Sequence, residues 1–382
     1  MGNKYLVDPD LGFIKEVTGM GGDTLKKCFQ CATCSVVCPI SPDTKPFPRK
    51  EMIAASWGLK DKLIANHDIW LCHNCGDCST LCPRGAKPGD VLAAIRSYAI
   101  SEYAVPKFIG KWINDPKKLP IFLLTPAVIF IVLGLTLKVF GINWLNFAPG
   151  GDEIAHAKFF SSWLVDITFI PLATWAVVIF GLGVKRFITD IHENALREGK
   201  TDKQELELFG FIQALIRVIP TILKHNKFSE CSENKDRSTA HLMVFYSFIS
   251  LFIVTNIFFI HLYVLQIHGP YSQLHPVKWL ANVAGIALII GAILMIKDRL
   301  SKTDQASNYK DWYLIGLVLG LGLTGMLTEM TRLAGAAGVS YTLYFIHLIF
   351  VFNLFAFVPF SKLAHLVYRT IALAYDEYGN RK

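Results

Sequence analysis

The sequence predicts an all-α protein in two parts: a helical, cysteine-rich head followed by a six-helix transmembrane bundle. Three observations predict this. Residues 1–118 are charged and hold eight of the nine cysteines, whereas most of 119–368 is aliphatic and aromatic. Six apolar runs reach the roughly 20 residues needed to cross a bilayer. The stretches around the cysteines carry helical periodicity rather than strand alternation. A mean hydropathy of +0.39 over 382 residues averages these unlike halves.

In chain order, the head occupies 1–105 and a juxtamembrane linker 106–118. The N-terminal MGNKYLVDPD has no apolar signal core, which keeps the head in the cytoplasm, and Leu6 stands where a myristoylation signal needs Ser or Thr. PRKEMIAASWGLKDKLIANHDIWL and DVLAAIRSYAISEY read as the helices of the head. The membrane domain, 119–382, has spans at 120–140, 162–184, 242–266, 277–296, 312–333 and 340–363. Lys107, Lys111, Lys117 and Lys118 precede the first span, Lys185 and Arg186 follow the second, and Lys297, Arg299 and Lys302 follow the fourth. Lys362, Arg369, Arg381 and Lys382 close the chain, and the loops 141–161 and 267–276 contain only Lys158 between them. Basic residues favour the cytoplasmic side, so both termini are expected there, in a multi-pass protein of the cytoplasmic (inner) membrane. The formal charge of +8 thus flanks the spans among membrane lipids and gives no reason to expect nucleic acid. Residues 204–227 contain LELFGFIQALIRVIPTIL, with Glu207 and Arg217 inside it and Pro220 interrupting it. This predicts an amphipathic helix at the cytoplasmic surface rather than a seventh span.

The cysteines form two copies of one pattern, CFQCATCSVVCP from Cys28 and CHNCGDCSTLCP from Cys72. A cubane presents four iron corners; three closely spaced thiolates hold three of them, and in two-cluster proteins each run's fourth cysteine serves the other cluster. The expectation is one [4Fe–4S] cluster on Cys28, Cys31, Cys34 and Cys82, and a second on Cys72, Cys75, Cys78 and Cys38. Structural zinc rarely uses this doubled spacing, and disulfides are disfavoured in a reducing compartment. Together these features predict a helical ferredoxin. Cys231 reads as a free thiol, and His67 and His73 as surface residues or outer neighbours of a cluster.

Intramembrane polar groups are costly and mark function. His241 and His365 lie at the cytoplasmic ends of the third and sixth spans, and His261 and His347 near the outer ends of the same two. This offers one imidazole pair per leaflet, the ligand set of two haems b. His347 and His365 are separated by 18 residues, five whole turns of a continuous helix, which sets them on one stripe about 27 Å apart. His241 and His261 are 20 residues apart, about 200° around a helix, so a bend is required and His156 is the substitute for His261. Asp166, Asn256, Glu329 and Arg332 gather at the outer level. Arg332 would neutralise a haem propionate, while Glu329, with Asp166 or His275 as a relay, would take protons from a quinol. GLGLTG, Gly320–Gly325, lies inside a span and reads as a small-residue packing face rather than a nucleotide site.

The order TLKKCFQCATCSVVCP, CHNCGDCSTLCP, then a histidine-bearing membrane domain resembles fused heterodisulfide-reductase C and E subunits. It is similar in particular to the membrane subunits of quinone-interacting membrane-bound oxidoreductases of sulfate-reducing organisms, and more loosely to the haem domain of nitrate reductase γ-subunits. The resemblance implies menaquinone as membrane substrate and two cytoplasmic flavoprotein/iron–sulfur subunits as partners. It further implies adenylylsulfate reductase downstream in sulfate respiration, with two haems b held by two histidines on each of two helices. The rival readings are a passive anchor whose head docks partners, and a cytochrome linked to methanophenazine or nitrate.

Overall fold

The computed structural model describes residues 8–147, 149–151, 153–225, 237–302 and 306–379. Among the described residues there are helices, turns and one isolated antiparallel bridge between Leu145 and Phe160. Cys231 lies outside them.

In the head, α1 (Leu11–Val17) starts where Asp10 Oδ1 accepts from the Phe13 N–H at 2.8 Å. The two cysteine runs end in single-turn helices, α2 (Thr33–Val36) and α6 (Asp77–Thr80). Between them lie α3 (Arg49–Ser56), α4 (Lys60–Ile64) and α5 (Asp68–Leu71). The long α7 (Pro88–Tyr103) opens with proline, whose missing N–H costs nothing in a first turn. Short α8 (Lys107–Trp112) leads to the membrane.

The spans are α9 (Leu119–Val139), α11 (Ser162–Arg197), α13 (Arg237–Tyr263), α14 (Pro276–Ser301), α15 (Tyr309–Leu333) and α16 (Ala337–Phe357), with one-turn α10 (His156–Phe159) before the second. Among the described residues six helices are long and apolar enough to cross a membrane, the last being α16 with its continuation. In the small-residue face of α15, a Cβ at Gly320 would lie 2.5 Å from Phe350, and one at Gly322 2.7 Å from Ile289. That face therefore packs α15 against both α14 and α16, as a glycine face should.

Two elements differ from the expected boundaries. The second span continues about three turns further, because Phe187, Ile191 and Ala195 keep one apolar stripe that buries against the head. The sixth stops early. Pro359 removes an N–H and crowds the preceding turn, and a 3₁₀ turn at Val358–Phe360 precedes a separate helix, α17 (Ala364–Gly379). His347 and His365 thus lie on different helices, and the single-stripe placement expected for them does not hold.

The amphipathic segment forms α12 (Leu208–Lys224), separate from the six candidate spans. It buries Phe211, Ala214 and Val218 and packs along α17, leaving Leu208, Phe209, Ile212 and Ile216 exposed. One hydrophobic core joins Phe13, Met52, Trp70 and Ile95 of the head to Phe187, Phe211, Tyr368 and Tyr375 of α11, α12 and α17. The head is therefore built onto the head-side ends of the membrane helices.

Candidate redox site

Each cysteine run wraps inward through left-handed residues at matching positions: Gln30 and Ala32 in the first, Asn74 and Gly76 in the second. Non-glycine residues in that conformation cost about 1–2 kcal/mol each, and here they fall between the first three thiols of each run. Gln30 Nε2 donates to Cys28 Sγ at 3.2 Å, and the Asn74 N–H donates to Cys72 Sγ at 3.3 Å.

The thiols form two crossed groups. Burial pushes Cys34 up to about 11, with the nearby Cys28, Cys31 and Cys82 thiols adding to it. Burial likewise pushes Cys38 up to about 12; the Ile40 backbone offsets part of this, and Cys72 and Cys75 add to it. Cys78 is raised by burial and by Cys72, then by Cys75 and Cys38. Cys31, by contrast, is exposed, and its pKa is lowered chiefly by the Thr33 hydroxyl at 3.3 Å. Cys38, Cys72, Cys75 and Cys78 line one small pocket with Ile40, Phe47 and Leu92. A single ion draws its sulfurs to one centre, whereas a cubane spreads them over four corners. Among the described residues no three His, Cys, Asp or Glu side chains close on one ion. The donor set fits two clusters better than two zincs.

A cavity of about 980 Å³ opens between the head and the membrane helices. His241 of α13 and His365 of α17 line it, as do Cys72, His73 and Cys75 of the head. Its walls are apolar at Val244, Phe245, Phe248 and Leu363, and its polar side carries Arg96, Lys362 and Arg369. Two imidazoles, an apolar slot and cations for carboxylates are what a haem b requires, so this site fits one. The His365 ring stacks on Trp70 with centroids 5.6 Å apart and planes 28° apart. Trp70 stands two residues before Cys72. Arg369 of α17 donates to the Cys72 and Leu71 carbonyls at 3.5 Å and meets the His73 ring at 2.8 Å. His225, in a left-handed conformation closing α12, lies edge-on to His241 at 5.0 Å.

The far side is arranged differently. His261 packs against Phe258, Tyr271 and His275, and its Nδ1 is buried without a partner. His347 Nδ1 pairs with Thr324 Oγ1 at 2.9 Å, and its ring covers Gly325. His156 bonds Ser340 at 2.9 Å and stacks on Tyr344, both on the helix that carries His347. Burial lowers His156 to about 4, with Arg332 contributing. His156 thus stands against the helix that carries His347, while His261 packs among Phe258 of its own helix and Tyr271 and His275 of the following loop. Glu329 is held by Lys278, Gln273 and Arg332. Arg332 pairs with Glu329 at 3.1 Å, and Lys278 holds the same carboxylate from α14. Asp166 accepts from Tyr263. Asn256 donates to the Phe252 carbonyl of its own helix.

Parts of the chain are similar in sequence to known proteins. Residues 24–86 match the family model of a 4Fe-4S dicluster domain. Over 90 residues the head is 38% identical to the C subunit of the H(2):CoB-CoM heterodisulfide,ferredoxin reductase of Methanothermobacter marburgensis, covering 24% of this chain and 49% of that one. It is 33% identical over 87 residues to a protein of Archaeoglobus profundus that is itself like a heterodisulfide reductase C subunit, covering 22% and 46%. A stretch of 157 residues is 28% identical to the E subunit of the dihydromethanophenazine:CoB--CoM heterodisulfide reductase of Methanosarcina thermophila, covering 37% and 60%. The chain is similar to a C and an E subunit joined in one polypeptide. It spans about half the length of the curated C subunits it matches, and no solved structure matches it.

Several residues of this C/E-like site escape sequence reasoning. His67 is buried, facing Asp68 and Asp376 at 3.5 Å, rather than on the surface. Trp70, Arg96 and Arg369 have no motif of their own. The available signal was adjacency: Trp70 precedes a cysteine run by two residues, and Arg369 follows His365 by one helical turn.

Proposed function

We propose that the chain is the membrane electron-transfer subunit of an oxidoreductase complex, linking a quinone pool to cytoplasmic redox partners. The observation that carries this is the shared cavity, on which the membrane histidines His241 and His365 and the head cysteines Cys72 and Cys75 all open. When bound, haem b and the two [4Fe–4S] clusters supply one-electron chemistry, and the chain supplies ligands, spacing and charge. His241 and His365 would hold a haem, Arg96, Lys362 and Arg369 would face its carboxylates, and Trp70 would fill the gap to Cys72. Cys72, Cys75, Cys78 and Cys38 would hold the nearer cluster, and Cys28, Cys31, Cys34 and Cys82 the farther one.

By the family resemblance, the membrane substrate is menaquinol and the partners are flavoprotein subunits feeding adenylylsulfate reduction. The head and both termini then lie on the cytoplasmic side, in keeping with the basic flanks. Of the acids at the far side, Asp166 accepts from the Tyr263 phenol, whereas Glu329 is paired with Lys278 and Arg332. No step is assigned to His261 or His347.

Purified protein should hold about eight irons in clusters and show b-type haem absorption. His241→Ala and His365→Ala should each abolish the same b-type component. Loss of different components in the two variants, or protein free of haem and cluster iron after anaerobic purification, would overturn this reading.

A further inference from the structure

The two cysteine groups face different surroundings, and this suggests where electrons leave the head. Cys72 and Cys75 look into the cavity beside the membrane helices. In the other group, Cys31 is exposed to solvent. Around it the head displays apolar side chains that a solvated surface would not favour: Val36 is 83% exposed, Phe29 67% and Leu81 55%. They belong to one patch. Val36 and Leu81 flank α2 and α6, which pack together, and the Arg84 guanidinium lies 4.0 Å over the Phe29 ring. Arg49 Nε donates to the Gln30 carbonyl at 3.0 Å, and its charge acts on Cys31.

Arg84 over Phe29 and Arg49 on Gln30 set cations within the patch, Lys26 and Lys27 immediately precede Cys28 in the chain, and all four are exposed. Among the described residues no carboxylate pairs with any of them. An apolar centre ringed by unpaired cations suits a partner whose own face is apolar within an acidic rim, since charge complementarity speeds and orients encounter.

Resting on the electron-transfer reading above, we infer that the surface formed by Phe29, Val36, Leu81 and Arg84 around Cys31 is the docking face for a soluble, acidic redox protein. The electron crosses between that protein's cofactor and the cluster held by Cys28, Cys31, Cys34 and Cys82. One centre is oxidised as the other is reduced, and no proton or bond is exchanged.

The test uses the full-length protein in nanodiscs with clusters in place, and flavodoxin hydroquinone as the acidic one-electron donor. Cluster reduction is followed by stopped-flow absorbance at several salt concentrations. The wild-type rate should fall steeply as salt rises from about 50 to about 500 mM, because long-range steering is screened. Arg84→Glu and Val36→Glu should each slow reduction about tenfold at low salt, while dithionite reduction and the cluster EPR spectra stay unchanged. Lys138→Glu, at the far end of α9, should have no effect and controls for net charge. Rates that ignore salt and both patch variants, or an equal loss in the Lys138 variant, would overturn the docking face while leaving the electron-transfer reading intact. Protein lacking cluster iron would overturn both.

Discussion

Cys38 and Cys82 close each cysteine run four residues after its third thiol, and in the fold each turns away from its own run. Cys82 contributes to the environment of Cys34, and Cys38 to that of Cys78. Gln30, Ala32, Asn74 and Gly76 take the left-handed conformation at matching positions between the first three thiols of each run. Cys82→Ser is therefore expected to damage the cluster on Cys28, Cys31 and Cys34 and to spare the one on Cys72, Cys75 and Cys78. EPR of the reduced variant decides this, and selective loss of the cluster on the second run would refute the crossing. At the same scale, Glu329 shows how chemistry depends on neighbours. Its position suggested a base, but Lys278 and Arg332 make it half of an ion-pair cluster.

Among the elements, α17 matters most for the proposed path, since it carries His365, Tyr368 and Arg369 against α5 and the second cysteine run. It is held from the other side by α11, at a glycine. A Cβ at Gly183 would lie 2.3 Å from the Tyr368 hydroxyl and 3.3 Å from the Tyr103 carbonyl. Gly183→Ala should overpack this contact, costing about 1–3 kcal/mol, and by shifting α17 should lower haem content. A variant with the wild-type melting midpoint and full b-type absorption would show that α17 is not clamped there. The elements were largely legible in the sequence, because spans, cysteine runs and the amphipathic α12 each carry a strong local period. The break at Pro359 was not. A proline near a span end can kink, end or merely begin the last turn, and only packing of Tyr368 and Tyr375 into the head decides which. The pairing of distant histidines was equally hidden, since spacing fixes depth along a helix but not which neighbour the ring faces.

For the whole molecule, the unexpected feature is the continuity of head and membrane domain. Besides the shared core, Asp68 is fully buried between Lys50 at 2.7 Å and Lys200 at 2.9 Å, and Lys200 also reaches Glu198 at 2.7 Å. Buried ion pairs gain little net stability, but removing one partner is costly, so this cluster ties the head to the segment that follows α11. Asn308 Nδ2 donates to the Met20 carbonyl at 2.5 Å on the opposite flank. The head is thus held at two sides over the cavity, with Trp70 pressed against His365. On the proposed path, electrons pass from the membrane to the head through this junction. The most direct measurement is menaquinol-driven reduction of the clusters in proteoliposomes, read by rapid-freeze EPR in wild type and His365→Ala. Quinol should reduce both clusters in wild type, and in the variant they should stay oxidised toward quinol yet be fully reduced by dithionite. Cluster reduction by quinol at the wild-type rate in His365→Ala would contradict this path.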